Sequence, residues 1–123
     1  MEAITRRGHL ETAANPNTRT DYVVSLGGEV VGLCRVEVRY IPDQAILTPA
    51  SFAAYLKGLA ALPWTHLEEI TASVVNDLNN ELVPRWVQVS VSGNSADMAH
   101  RVTIEDRQPR WDNPILLSRI GSA

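Results

Sequence analysis

The chain has 123 residues, 45% of them apolar and 20% charged, with a formal net charge of −3. That length carries one domain with a real core, and the slight negative charge offers no electrostatic reason for a nucleic-acid or membrane partner. A single cysteine excludes an internal disulfide, no apolar run can span a bilayer and no signal-peptide stretch opens the chain, so a cytoplasmic protein is expected.

Residues 1–20 are polar, carry "ANPN" and read as an N-terminal arm or irregular lead-in, with residues 21–123 as a single domain. His9 falls in that arm. The stretch "DYVVSLGGEVVGLCRVEVRYIPD" at 21–43 is rich in β-branched residues. Its Gly27-Gly28 pair predicts a hairpin turn, because both glycines can take positive φ. In the second arm Cys34, Val36, Val38 and Tyr40 share one face, Arg35, Glu37 and Arg39 the other, and Pro42 ends the strand.

Two helices follow. Thr48 is a candidate N-cap with Pro49 at the first helical position, and Phe52, Tyr55, Leu56 and Leu59 make an apolar stripe that Pro63 stops. The second helix is expected to begin at Thr65 and bury Leu67, Ile70, Val74 and Leu78 before Pro84. "RWVQVSVS" then alternates Val87, Val89 and Val91 inward as a half-buried strand. A polar loop at 93–98 leads to "HRVTIED", whose Val102 and Ile104 complete a second hairpin. The order is β-β-α-α-β-β in one α+β unit. Four antiparallel strands leave two open edges, and another copy of the same chain caps them most simply. A homo-oligomer with pockets between subunits is therefore expected.

The candidate functional groups each have a structural reading as well. In "WTHLEEITASVVNDL" at 64–78, Thr65 and Glu68 have the spacing of a capping box, and acidic residues in a first turn suit the helix dipole. Cys34 is in phase with Val36 and Val38, as a small core residue would be, and no base or cation lies near it in sequence to activate it. Cys34, His66 and His100 could supply zinc ligands, but no pair has zinc-like local spacing. "SLGG" lacks the lysine and following helix of a phosphate loop. Trp64, Trp86 and Trp111 stand at element ends, where packing anchors are common.

Three segments carry a resemblance. "LETAANPNTRTDY" at 10–22, "EVRYIPD" at 37–43 and "HLEEITASVVNDLNNELVPRWVQV" at 66–89 resemble landmarks of the QueF family. Members of that family are NADPH-dependent nitrile reductases that convert 7-cyano-7-deazaguanine to its aminomethyl form for queuosine in tRNA. They share the tunnelling fold, or T-fold, with GTP cyclohydrolase I, whose unit has the β-β-α-α-β-β order. The resemblance spans about residues 10–106. It places the family's "HE" on Leu67 and Glu68, next to His66. Glu68 thereby matches the carboxylate that grips the purine-like ring, for which accepting adjacent N–H and amino groups is suitable chemistry.

The departures concern the reaction. The family's nucleophilic cysteine sits in a "CPxTGQPD"-like loop whose aspartate donates a proton. Here the segment between Tyr22 and Tyr40 is about ten residues shorter than the resemblance calls for, so the loop and its aspartate are missing. Anchored from the N-terminal side, the nucleophile's place falls on Cys34; anchored from Tyr40, it falls on Ser25. The family's cofactor signature, roughly "ESKSLKLY", aligns with "TPASFAAY" at 48–55 and keeps only Ser51 and Tyr55. Its phosphate-binding lysines are absent, as is a "PRGG" stretch near "GNSADMAH". The expectation is a divergent QueF-like T-fold protein that holds a deazapurine, purine or pterin ring at a subunit interface through Glu68. It uses no NADPH and has lost nitrile reduction. It is a ring-binding protein or an enzyme of altered chemistry on such a ring, with Cys34 as its candidate nucleophile. Two alternatives stay open: a structural subunit that assembles with itself or with an active paralogue, and a surviving reductase.

Overall fold

In the computed structural model, residues 6–121 are described. Its central feature is a four-stranded antiparallel sheet made from β2 (Val24–Val30), β3 (Cys34–Ile41), β5 (Trp86–Ser95) and β6 (Met98–Arg107), in the order β2-β3-β5-β6. Helices α1 (Pro49–Ala60) and α2 (Leu67–Leu82) cover one face. The alternation read in the sequence is what makes this possible. Val36, Val38 and Tyr40 of β3 and Val87, Val89 and Val91 of β5 are fully buried beneath Phe52, Tyr55, Leu56 and Leu59 of α1 and Ile70, Val74 and Leu78 of α2. Leu67 is half-buried at the start of α2.

The other face is polar but not open. In β5 the alternation is lost, and Trp86 to Val91 are all buried. A short helix absent from the sequence reading, α3 (Pro114–Ile120), accounts for this near Gln88. Arg39 donates from Nε to Gln88 Oε1 at 2.9 Å, and its Nη atoms donate to the carbonyls of Ile120 and Gly121 at 3.1 and 3.2 Å. Ser90 meets Thr103 through their hydroxyls at 3.0 Å.

Gly27-Gly28 is not the turn. Both residues lie inside β2, paired with Glu37 and Val36, and the chain reverses at Val31–Leu33 instead. Leu33 donates its N–H to the Val30 carbonyl, and Gly32 holds φ +80°, the conformation that glycine adopts at little cost. Gly28 is glycine for a different reason: a Cβ there would lie 2.6 Å from Leu56 Cδ1. It lets α1 settle onto the edge strand.

The expected polar loop at 93–98 is likewise mostly strand. β5 runs to Ser95 and β6 starts at Met98, joined by Ala96 and Asp97 alone, both at positive φ. Such a two-residue turn matches the twist of the strands it connects. The hairpin therefore reaches beyond β3, whose pairing with β5 ends at Ser92.

The lead-in carries structure that its polar composition did not signal. β1 (Thr12–Ala14) pairs antiparallel with β4 (Ala45–Leu47) in a separate two-stranded sheet. Leu10 is buried in the core. Arg6 donates from Nε and Nη2 to the fully buried Asp77 at 3.0 and 3.2 Å, and Tyr55 donates its hydroxyl to the same carboxylate at 2.6 Å. Burial, and then the bond to Asp77, push the Tyr55 hydroxyl far above its ordinary pKa, so it remains a donor.

Arg85 ties the opposite end together. It donates to Asp21 at 2.9 Å, to the Thr18 carbonyl at 2.6 Å and to Asp43 at 3.4 Å. Asp21 also accepts from Trp111 Nε1 and Asn113 Nδ2, and Asp43 from Gln108 Nε2. Burial pushes the Asp21 carboxyl up, but the bonds from Asn113, Arg85 and Trp111 outweigh it and hold the pKa below the ordinary value.

Two substitutions separate the two kinds of glycine. Gly28→Ala is expected to cost about 1–3 kcal/mol by overpacking, and most of that should disappear when Leu56→Ala is added. Gly32→Ala should cost about 1 kcal/mol whatever stands at Leu56, because its strain is in the backbone. Urea unfolding of the single and double variants measures both, and full additivity of Gly28→Ala with Leu56→Ala would refute the close-approach reading.

Candidate functional site

The site is built around the first turn of α2. Pro63 lacks the N–H that would continue α1, and Trp64 Nε1 donates to the Leu59 carbonyl at 2.8 Å, fixing the link between the helices. The helix begins two residues later than the sequence suggested, with His66 rather than Thr65 as its N-cap. The capping carboxylate is accordingly Glu69, not Glu68. Glu69 Oε1 accepts from the Thr65 hydroxyl at 2.6 Å, the His66 N–H at 2.8 Å and the Thr65 N–H at 3.1 Å. The Thr65 hydroxyl first, and then the two backbone N–H groups, hold the Glu69 pKa below the ordinary glutamate value.

That division of labour leaves Glu68 pointing elsewhere. It lines a cleft of about 360 Å³ between the start of α2, the β2–β3 turn and the β5–β6 hairpin. The walls are Leu33, Trp64, His66, Leu67 and Ile70 on one side and Asn94, Ser95 and His100 on the other. Glu68 Oε1 lies 3.7 Å from His100 Nε2, while His100 Nδ1 lies 3.2 Å from Ser95 Oγ. The Glu68 side chain is 64% exposed, so the pair is open to a ligand.

His66, Leu67 and Glu68 are thus in one cleft. Cys34 is next to it but not on its wall. It is 6% exposed at the start of β3, and a Cβ placed on Gly93 would lie 3.8 Å from Cys34 Cβ and 3.7 Å from Leu67 Cδ1. Burial, and then the charge of Glu29, raise the Cys34 pKa, so at neutral pH it is a thiol. Ser25 is exposed on the helix-free face and pairs with Arg39, far along β2 from the cleft. No group of three His, Cys, Asp or Glu among the described residues could hold a metal ion. Among the described residues no helix is long and apolar enough to cross a membrane.

Two further sequence landmarks take structural places. Ser51 donates its hydroxyl to the Glu11 and Thr48 carbonyls, and Tyr55 donates to Asp77. Both are buried. The segment between Tyr22 and Tyr40, which the resemblance makes too short for the catalytic loop, is filled by β2, the turn Val31–Leu33 and β3, and holds no aspartate.

No family model matches the chain. Two curated NADPH-dependent 7-cyano-7-deazaguanine reductases, from two strains of Acidithiobacillus ferrooxidans, are each 30% identical to it over 125 residues. The alignments cover 90% of this chain and 86% of theirs. The chain belongs to the QueF family. Among solved structures, the crystal structure of the archaeosine synthase QueF-Like in the apo form matches with a TM-score of 0.57 and 18% identity, covering 74% of this chain and 95% of that one. That likeness establishes the architecture: a T-fold, reached here in a divergent QueF-like chain.

The two glutamates can be told apart by stability. Glu69→Ala should lower the melting temperature of this QueF-like protein, whereas Glu68→Ala should leave it nearly unchanged. Because the Glu69 pKa is depressed, its stabilisation is fully present above the ordinary glutamate pKa of 4.5 and is lost as pH falls through the lower folded value. The melting difference between wild type and Glu69→Ala should therefore shrink in acid. Thermal melts at pH 7 and pH 3 check this.

Proposed function

We propose that the cleft at the start of α2 binds a ring of the 7-deazaguanine, purine or pterin type, with Glu68 as its anchor, and that the protein carries out no NADPH-dependent reduction. One observation carries the reading: Glu69, not Glu68, is the capping carboxylate, so the Glu68 carboxylate is left to a cleft bounded by Trp64 and Leu67. An ionised carboxylate accepts two adjacent N–H donors as charge-assisted hydrogen bonds, and the flanking apolar groups suit the faces of a ring. Kinship with 7-cyano-7-deazaguanine reductases supports the ring class.

Against reduction stand the short segment between Tyr22 and Tyr40 and the state of Cys34. A nitrile reduction through a thioimide needs a thiolate and a proton donor, whereas Cys34 is held as a thiol and that segment has neither the family's loop nor its aspartate. Ser51 and Tyr55, the remnants of the cofactor signature, are committed to interior hydrogen bonds. The reading places the occupied site at an interface between copies, because β2 and β6 end the sheet as described and the cleft opens beside the projecting hairpin. On this reading the protein functions as a homo-oligomer or beside an active paralogue, in the reducing cytoplasm.

Sedimentation should give a species well above the 13.5 kDa monomer mass. A thermal-shift and calorimetric panel of guanine, 7-cyano-7-deazaguanine, GTP, neopterin and NADPH should find at least one ring ligand that stabilises the protein by mass action. Glu68→Gln should weaken that ligand at least tenfold, roughly the effect of replacing an acceptor by a donor. Added 7-cyano-7-deazaguanine should cause no oxidation of NADPH. A panel without any ring ligand favours the structural-subunit alternative, and turnover at about 1 per second would restore the reductase.

A further inference from the structure

The cleft holds a second polar group that neither capping nor the Glu68 anchor explains. His100 comes from β6, 32 positions after Glu68 in the sequence, and the β5–β6 hairpin brings it across the mouth of the cleft. Its ring is oriented from both sides. Nδ1 faces the Ser95 hydroxyl at 3.2 Å, and Nε2 faces Glu68 Oε1 at 3.7 Å. Ser95 and His100 flank the two-residue turn on neighbouring strands, so the hairpin itself sets this geometry.

The tautomer follows from these partners. A neutral imidazole with a bare Nε2 would put a lone pair against a carboxylate, so the proton belongs on Nε2 and the Ser95 hydroxyl donates to Nδ1. The separation from Glu68 exceeds that of a good hydrogen bond. The Nε2 proton therefore remains available to a ligand. The cleft thus presents a donor beside an acceptor, 3.7 Å apart, on adjoining walls.

We infer that His100 is a specificity-determining residue, whose Nε2–H reads the ring oxo group next to the N–H and amino groups accepted by Glu68. This rests on the ring-binding reading and narrows it to ligands with an oxo, N–H and amino edge, the edge that guanine and pterins share. A site built to hydrogen-bond one ligand group rejects analogues lacking it, because its own buried or oriented polar group is then left without a partner.

The probe pair is guanine and 6-thioguanine, which keep the same N–H and amino donors and differ only in oxygen against the weaker acceptor sulfur. Calorimetry on the full chain should show wild type preferring guanine by about tenfold, the worth of one well-placed hydrogen bond. His100→Ala should reduce that preference to within about twofold, mainly by weakening guanine. His100→Gln keeps a donor within similar reach and should recover part of it. Melting temperatures without ligand establish that each variant is folded; a misfolded His100→Ala leaves the comparison of wild type with His100→Gln and Ser95→Ala, which frees the ring and should blunt the preference. A preference unchanged in His100→Ala overturns the assignment while leaving ring binding intact. Binding of neither probe at millimolar concentration overturns this inference, and loss of all ring ligands in the wider panel overturns the ring reading beneath it.

Discussion

Arg85 is the point from which the rest of the architecture hangs. One guanidinium, itself mostly buried, reaches the lead-in at Asp21 and Thr18, the end of β3 at Asp43 and, through those carboxylates, the chain around Gln108, Trp111 and Asn113. An arginine suits this place better than a lysine, since its planar fork aims several donors in fixed directions. The two carboxylates would repel each other without it. With this junction made, β3 and β5 are held in register from their shared end, and α3 is carried onto the polar face where Arg39 receives it.

The far end of the sheet is organised differently. Short backbone turns and the exposed pairs of Arg35 with Glu29 and Glu37 stand there, and the β5–β6 hairpin overhangs β3. That contrast suits the proposed ring site. A rigid base leaves the opposite end free to arrange a few side chains around an opening, as sites on rigid scaffolds do. The capping of α2 by Glu69 belongs to the base in this sense, because it fixes the helix start and so the direction in which Glu68 leaves the backbone.

Much of this was legible beforehand, and the misses have physical causes. β3, α1 and α2 were readable because each has one wet and one dry face, which forces periodicity into the residues; β5 was readable from its alternating valines although both of its faces are covered from Trp86 to Val91. Gly27-Gly28 misled because a glycine pair signals either a turn or a close approach, and only the position of Leu56 decides between them. The N-cap was misplaced by one residue because Thr65 and His66 both precede acidic residues at capping distance, and the choice depends on backbone geometry. β1 and β4 are short and held by pairing with each other, and α3 is a short helix with a local Asn113 cap that Arg39 ties to the sheet. In the cleft, Glu68 was singled out by the family resemblance, while its own helix offered it only a capping role. His100 was noticed only as a zinc candidate, since nothing local ties it to a residue on another element. Its signal lay in the hairpin: once Ala96 and Asp97 are seen as a two-residue turn, Ser95 pairs with Met98 and Gly93 with His100, which puts Ser95 and His100 on one face as diagonal neighbours.

The Arg6–Asp77 pair has a consequence for how the molecule forms and opens. Its partners are 71 residues apart, and the carboxylate they share with Tyr55 is sealed from water. While the lead-in is undocked, α2 would have to bury an uncompensated charge, so the later half of that helix has no stable resting place. The two segments therefore close as one cooperative unit, late, across a long loop. Amide protons on α2 near Asp77 should accordingly exchange together with those around Leu10, at a common opening free energy, while the first turn of the helix, tied locally by Glu69, keeps its own clock.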